Sequence, residues 1–180
     1  MKRSKSVKLL VMGAGALALT ACDEPQDVGV FESIEQCVSL GGFEQTLCED
    51  NFKTAASEHI NVAPKYTSAT DCEADFGVAQ CETAPQKTTS GGSVFMPMMM
   101  GYMMGSMLGG NSRVATQPLY RSADDKANFR TGDNSKVAGK PGISKVPASV
   151  AKAPTRKTST VRRGGFGKTA ARTSARSFGG

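Results

Sequence analysis

The sequence predicts a small all-α fold: disulfide-stapled helical hairpins over residues 31–86, a short Met/Gly-rich helix over 93–110 and a long disordered basic tail over 111–180. Three observations predict it. Cys37, Cys48, Cys72 and Cys81 are set among helix-capping and helix-stopping residues. Gly101, Gly105 and Gly109 recur every fourth residue through a methionine-rich run. Residues 111–180 hold 15 basic and 3 acidic side chains with few large apolar groups between them. A chain of 180 residues, 39% hydrophobic and without Trp, has room for one modest domain. Its charge is divided, because residues 23–90 carry 13 acidic and only 3 basic side chains, so an acidic half precedes a basic one.

Residues 1–21 have the form of a signal peptide. Lys2, Arg3, Lys5 and Lys8 form a basic n-region, and the 11 residues from Leu9 to Leu19 form an apolar h-region. A stable membrane-spanning helix needs roughly 20 apolar residues, so this run is too short for one. It ends in Leu19-Thr20-Ala21-Cys22, which resembles the bacterial lipobox. That resemblance implies a diacylglyceryl thioether on Cys22, an acylated amino terminus carrying palmitate-type chains, and a membrane partner held through lipid. Each buried methylene contributes about 0.8 kcal/mol, so two or three chains anchor firmly where a single chain exchanges. Asp23 follows the lipidation cysteine and resembles the enterobacterial signal for inner-membrane retention, which gives an inner-membrane lipoprotein facing the periplasm, with the outer membrane as the alternative. Residues 22–30 are read as a lipid-anchored linker.

With Cys22 assigned to lipid, an even set of four cysteines remains, which favours disulfides in an oxidising compartment. Spacing alone leaves three pairings open. Residues 31–37 align with residues 66–72 at an offset of 35, matching aromatic, Ser and Cys, and each block then reaches Cys-Glu at Cys48-Glu49 and Cys81-Glu82. Ser33 with Gln36 and Ser68 with Asp71 have the form of helix N-caps. Gly41-Gly42 and Gly77 interrupt the helices that follow, so each chain can turn back and bring Cys48 to Cys37 and Cys81 to Cys72. Phe43, Leu47, Cys48, Phe52, Ala55 and His59 form a helical stripe that Pro64 stops. The expectation is two small helical hairpins packed together. His59, the only histidine, reads as a surface or cap residue, and the carboxylates read as a solvated face. The rival use of these cysteines, metal binding or disulfide exchange, lacks both a Cys-x-x-Cys spacing and an adjacent His.

Ser93 to Gly110 is the most distinctive stretch. As a helix, its glycines make a smooth face for close helix association, including self-association into a homo-oligomer, or for insertion into a membrane surface. From Pro97 to Leu108 such a helix is roughly 18 Å long, short of the roughly 30 Å needed to span a bilayer. The alternative is periplasmic copper(I) handling by the soft thioethers of Met96, Met98, Met100, Met103, Met104 and Met107. A third reading is an apolar linker packed on the stapled region.

The basic tail is too poor in apolar groups to offset its ordering entropy. Arg162-Arg163-Gly164-Gly165-Phe166-Gly167 has the pattern of RNA-binding RGG segments, but an exported address excludes nucleic acid and favours an anionic envelope polymer, phospholipid or an acidic protein surface. No nucleophile, base and oxyanion set is present, so the chain reads as a non-enzymatic protein with a structural or interaction role and no cofactor. Finally, Phe95-Met96-Pro97, Gly101-Tyr102-Met103-Met104-Gly105, Gln117-Pro118-Leu119-Tyr120 and Arg163-Gly164-Gly165-Phe166-Gly167 resemble the YgiB-like family of uncharacterised proteins from gamma-proteobacteria. The resemblance implies an envelope protein and supplies no catalytic residues.

Overall fold

The computed structural model describes residues 24–105 and 114–170. The elements run in the order β1 (Pro25–Phe31), α1 (Ile34–Gly41), α2 (Gln45–Val62), α3 (Ala69–Phe76), β2 (Cys81–Lys87), β3 (Ser93–Pro97), β4 (Gly101–Gly105), β5 (Gln117–Ser122), β6 (Asp125–Arg130), β7 (Gly142–Pro147) and α4 (Ala148–Ala151). A five-stranded antiparallel sheet in the order β6-β5-β4-β1-β7 forms the centre, and β2 and β3 make a separate hairpin. The fold is therefore mixed, and the expected all-α architecture is wrong.

The helical expectations hold locally in the first half. Ser33 accepts the Gln36 amide at 3.3 Å while the Gln36 side chain reaches back to accept the Glu32 amide at 3.0 Å, a reciprocal cap that starts α1. Gly42 stops that helix in the left-handed region at φ 67°, where a side chain would be strained. Ser68 caps α3 by accepting the Asp71 amide at 3.1 Å. Disulfides join Cys37 to Cys48 and Cys72 to Cys81. The first staples α1 to α2. The second staples a helix to a strand, because Cys81 opens β2, so the two cysteine units are not two equivalent helical hairpins.

The described part of the Met/Gly stretch, residues 93–105, is extended rather than helical. Residues 93–97 and 101–105 are the strands β3 and β4, and β4 pairs with both β1 and β5. Val30 faces Met103 across the β1–β4 ladder, and Phe31 faces Tyr102. Because side chains alternate along a strand, Met103 enters one core with Val28, Val30, Leu119 and Phe129, while Tyr102 and Met104 enter another with Phe31, Cys37 and Cys48. At β4 both faces of the sheet are covered, so that strand reads as a continuous apolar run. Gly101 does not present a helix groove. A Cβ there would lie 2.7 Å from the Phe31 carbonyl oxygen, so glycine permits the close approach of β4 to the end of β1. Residues 22–30, expected to be a linker, supply most of β1 from Pro25 onward.

The basic tail is the larger correction. Residues 117–122, 125–130 and 142–147 are strands of the central sheet, and Leu119, Tyr120, Phe129, Val146 and Phe166 are buried. Gln117 ties α4 to the sheet by donating to the carbonyls of Val150 and Lys152 at 3.1 and 3.3 Å. Apolar groups are sparse in this half, but β5, β6 and β7 place Leu119, Tyr120, Phe129 and Val146 in the core while Ile143 stays exposed, and the acidic half supplies the remaining partners. Cys22, Met107 and Gly109 lie outside the described residues.

Candidate functional site

The segment that reads as an RGG motif is an anchor. Phe166 is 4% exposed, and its ring packs 4.7 Å from Phe76 and 6.3 Å from Tyr120, centroid to centroid. On one side of it the Gly164 amide donates to Asp75 Oδ1 at 2.7 Å. On the other, the Gly167 amide donates to Asn134 Oδ1 and its carbonyl accepts from Asn134 Nδ2, both at 2.9 Å. Gly164 and Gly167 have φ of 76° and 85°, and a Cβ on Gly167 would meet an Asp124 carboxylate oxygen at 2.2 Å, so these positions require glycine for backbone reasons.

This anchor fixes the strap of residues 155–161 over the end of α2. The Lys157 amide donates to the Asn61 carbonyl at 2.8 Å, and the Val161 amide to the Lys65 carbonyl at 2.6 Å. The Thr155 amide and the Lys157 ammonium both reach the Asp133 carboxylate. Pro64 ends α2, and Tyr66 bridges to Phe95 through two backbone bonds of 2.8 Å, so Lys65 is held between the helix terminus and the β2–β3 hairpin. Lys65 is 6% exposed. Its ammonium makes long contacts to the Asn61 and Ala63 carbonyls, at 3.4 and 3.5 Å, and no carboxylate pairs with it among the described residues. Burial pushes the Lys65 pKa down from its ordinary value, and the nearby Lys157 charge adds to that.

Lys65 lines a groove of about 560 Å³ between the end of α2, the far end of the β2–β3 hairpin and the strap. Lys87, Arg156 and Lys157 are the other cations of the lining, and Thr88, Thr89, Thr158, Ser159 and Thr160 supply hydroxyls. No acidic residue lines it. Asp133 compensates Lys157, whereas Lys65, Lys87 and Arg156 are without an ion pair among the described residues. A smaller hollow of about 260 Å³ shares Lys65, Lys157 and Ser159. Concentrated positive charge with hydroxyl donors in a partly enclosed groove is suited to an anion. Sequence reasoning did not single out these residues. Pro64 gave a partial signal, since it places Lys65 at a helix C-terminus, but Arg156 and Lys157 were dissolved in the general charge of the tail.

The residues that were singled out are dispersed. Met96, Met103 and Met104 lie in three different cores, and the Met104 sulfur is 3.7 Å from Cys37 Sγ. Met98 and Met100 line a separate groove of about 490 Å³ with Arg121 and Lys126. The described thioethers therefore do not converge on one point. His59 is buried rather than superficial. Its Nε2 is 3.0 Å from Glu82 and its Nδ1 2.9 Å from the Tyr120 hydroxyl. A carboxylate only accepts, so Nε2–H donates to Glu82 and Nδ1 accepts from Tyr120. Burial lowers the His59 pKa despite the opposing Glu82 contact, and burial raises that of Tyr120, so both remain neutral and the pair ties α2 to β5.

No helix among the described residues is long and apolar enough to cross a membrane. A family model described as "Protein of unknown function (DUF1190)" matches residues 25–177. The chain is 34% identical over 170 residues to a UPF0441 protein of Erwinia tasmaniensis, covering 86% of this chain and 76% of that protein. It is equally identical, over 171 residues and with the same coverage, to a UPF0441 protein of Pectobacterium atrosepticum. No solved structure matches it. The matched span contains all four motifs that resembled the YgiB-like group, and the chain belongs to that uncharacterised family, DUF1190.

Proposed function

We propose that this chain is an envelope lipoprotein, tethered by lipid at Cys22, whose folded part binds an anionic envelope component in the groove over Lys65. The observation that carries the reading is a buried lysine without a carboxylate partner among the described residues, set beside the unpaired Lys87 and Arg156. A buried cation is costly to leave unpaired, so an anion that entered the groove would gain the interaction that the fold withholds. The basic n-region, the short apolar run and Leu19-Thr20-Ala21-Cys22 support the tether, and Asp23 supports the periplasmic face of the inner membrane. The two disulfides fit an oxidising compartment. The role we assign to the groove is interaction rather than catalysis.

The test is calorimetric titration of pyrophosphate into the lipidated mature chain in detergent, at two salt concentrations. Binding that weakens with salt, and weakens at least about tenfold in a Lys87→Ala/Arg156→Ala double variant, is the expected result. Equal binding by the wild type and the double variant would sink the reading.

A further inference from the structure

The groove over Lys65 contains an acceptor as well as cations. Gln86 lies on β2 and lines the groove, and its Nε2 donates to the Ile60 carbonyl at 3.3 Å. That bond sets which end of the amide is which, because a flipped amide would place two oxygens against each other. The remaining oxygen, Gln86 Oε1, is buried and has no hydrogen-bond partner. Buried polar atoms are nearly always paired, and an orphan acceptor that lines a cavity asks for a donor. A site holding both Lys65 and Gln86 Oε1 therefore asks for two things in one ligand: an anionic group for the ammonium and a hydroxyl or amine beside it.

We infer that the groove takes a phosphorylated sugar, with the phosphate directed to Lys65 and its neighbouring cations and a ring hydroxyl donating to Gln86 Oε1. This rests on the proposed anion-binding role and narrows it. A glycerol phosphodiester carries the charge and hydroxyls, but on a flexible chain whose ordering costs free energy on binding. An inorganic phosphate ion offers few donors, and its own oxygens repel the amide oxygen. A hexose phosphate carries the charge and several donors on a rigid frame, and a groove of about 560 Å³ has room for it. The hydroxyls of Thr88, Thr158 and Ser159 can serve the remaining sugar and phosphate oxygens.

The experiment titrates inorganic phosphate, glucose and glucose 6-phosphate separately into the full mature chain and into Gln86→Leu. Glucose 6-phosphate is expected to bind roughly tenfold more tightly than inorganic phosphate, the value of one hydrogen bond to a previously unpaired group. Gln86→Leu removes that preference. Because the substitution also deletes the bond to Ile60, its urea midpoint is measured alongside, and the wild-type comparison of the three ligands stands without it. Equal affinity for inorganic phosphate and glucose 6-phosphate in the wild type overturns the inference while leaving the anion-binding role intact. Failure of both to bind overturns both. Vesicles of phosphatidylglycerol, with and without a glucosamine-phosphate glycolipid, separate the sources. Preference for the glycolipid vesicles supports a membrane headgroup with this chemistry, preference for soluble sugar phosphate supports a free one, and indifference to sugar in every arm counts against the inference.

Discussion

Replacing Phe166 by Ala tests whether the end of the basic half is part of the folded core. The ring is 4% exposed, lies 4.7 Å from Phe76 and touches the Tyr120 ring edge to face at 6.3 Å. Truncating a buried Phe costs about 3 to 5 kcal/mol through lost transfer energy and the cavity left behind. With a urea slope of about 2 kcal/mol/M, the unfolding midpoint falls by roughly 1.5 to 2.5 M. The assay is equilibrium urea unfolding of the oxidised mature chain, followed by far-ultraviolet circular dichroism. Val78→Ala is the internal control, since Val78 is 83% exposed and its truncation changes stability by less than about 0.5 kcal/mol. If Phe166→Ala behaves like that control, the anchor is not packed, and the strap over Lys65 loses its support.

Three further outcomes follow from other parts of the fold. Cys72→Ser with Cys81→Ser opens a loop of sequence separation 9 and lowers stability by roughly 2.5 to 3 kcal/mol on the chain-entropy model, read in the same urea assay against the oxidised wild type. Arg130→Met removes the 2.9 Å partner of the buried Asp125 carboxylate, which keeps Asn128 and Lys168, so the cost is that of one hydrogen bond to a charged group, about 1.5 to 3 kcal/mol, read as a lowered thermal midpoint. Burial holds the His59 pKa below its ordinary 6.5, so the unfolded chain binds more protons in acid. Stability is full above that value and falls with pH below it, and His59→Gln flattens the dependence between pH 7 and pH 5.

What the sequence made legible was local. Ser33 and Ser68 announce α1 and α3 because a hydroxyl at an N-cap has a short-range job that neighbouring residues reveal. The stripe from Phe43 to His59, stopped by Pro64, announces α2 with its end displaced by two residues. The two disulfides follow the pairing that the turn residues favoured. The strands were not legible for two different reasons. In β4, Tyr102, Met103 and Met104 are all buried because the sheet is covered on both sides, so no alternation appears and glycines at a four-residue interval imitate a helix face. In the basic half, the buried residues are spaced so thinly that composition reads as disorder, and their partners are remote: Tyr120 needs His59, and Phe166 needs Phe76. The groove was illegible for the same reason, since Lys65, Gln86 and Arg156 meet only after β5 to β7 have returned the chain to the end of α2. The charge of the basic half is legible in the sequence, whereas its folded state depends on those remote contacts.

The proposed anion-binding groove requires that the basic half be folded and form one of its walls. Amide hydrogen exchange at Lys157 and Val161, measured on the full mature chain with and without glucose 6-phosphate, reads that wall residue by residue. Their amides donate to the Asn61 and Lys65 carbonyls at 2.8 and 2.6 Å. Exchange well below the unstructured rate, and a further slowing when ligand is added, is expected. Exchange at the unstructured rate in both conditions would contradict the strap and the groove together.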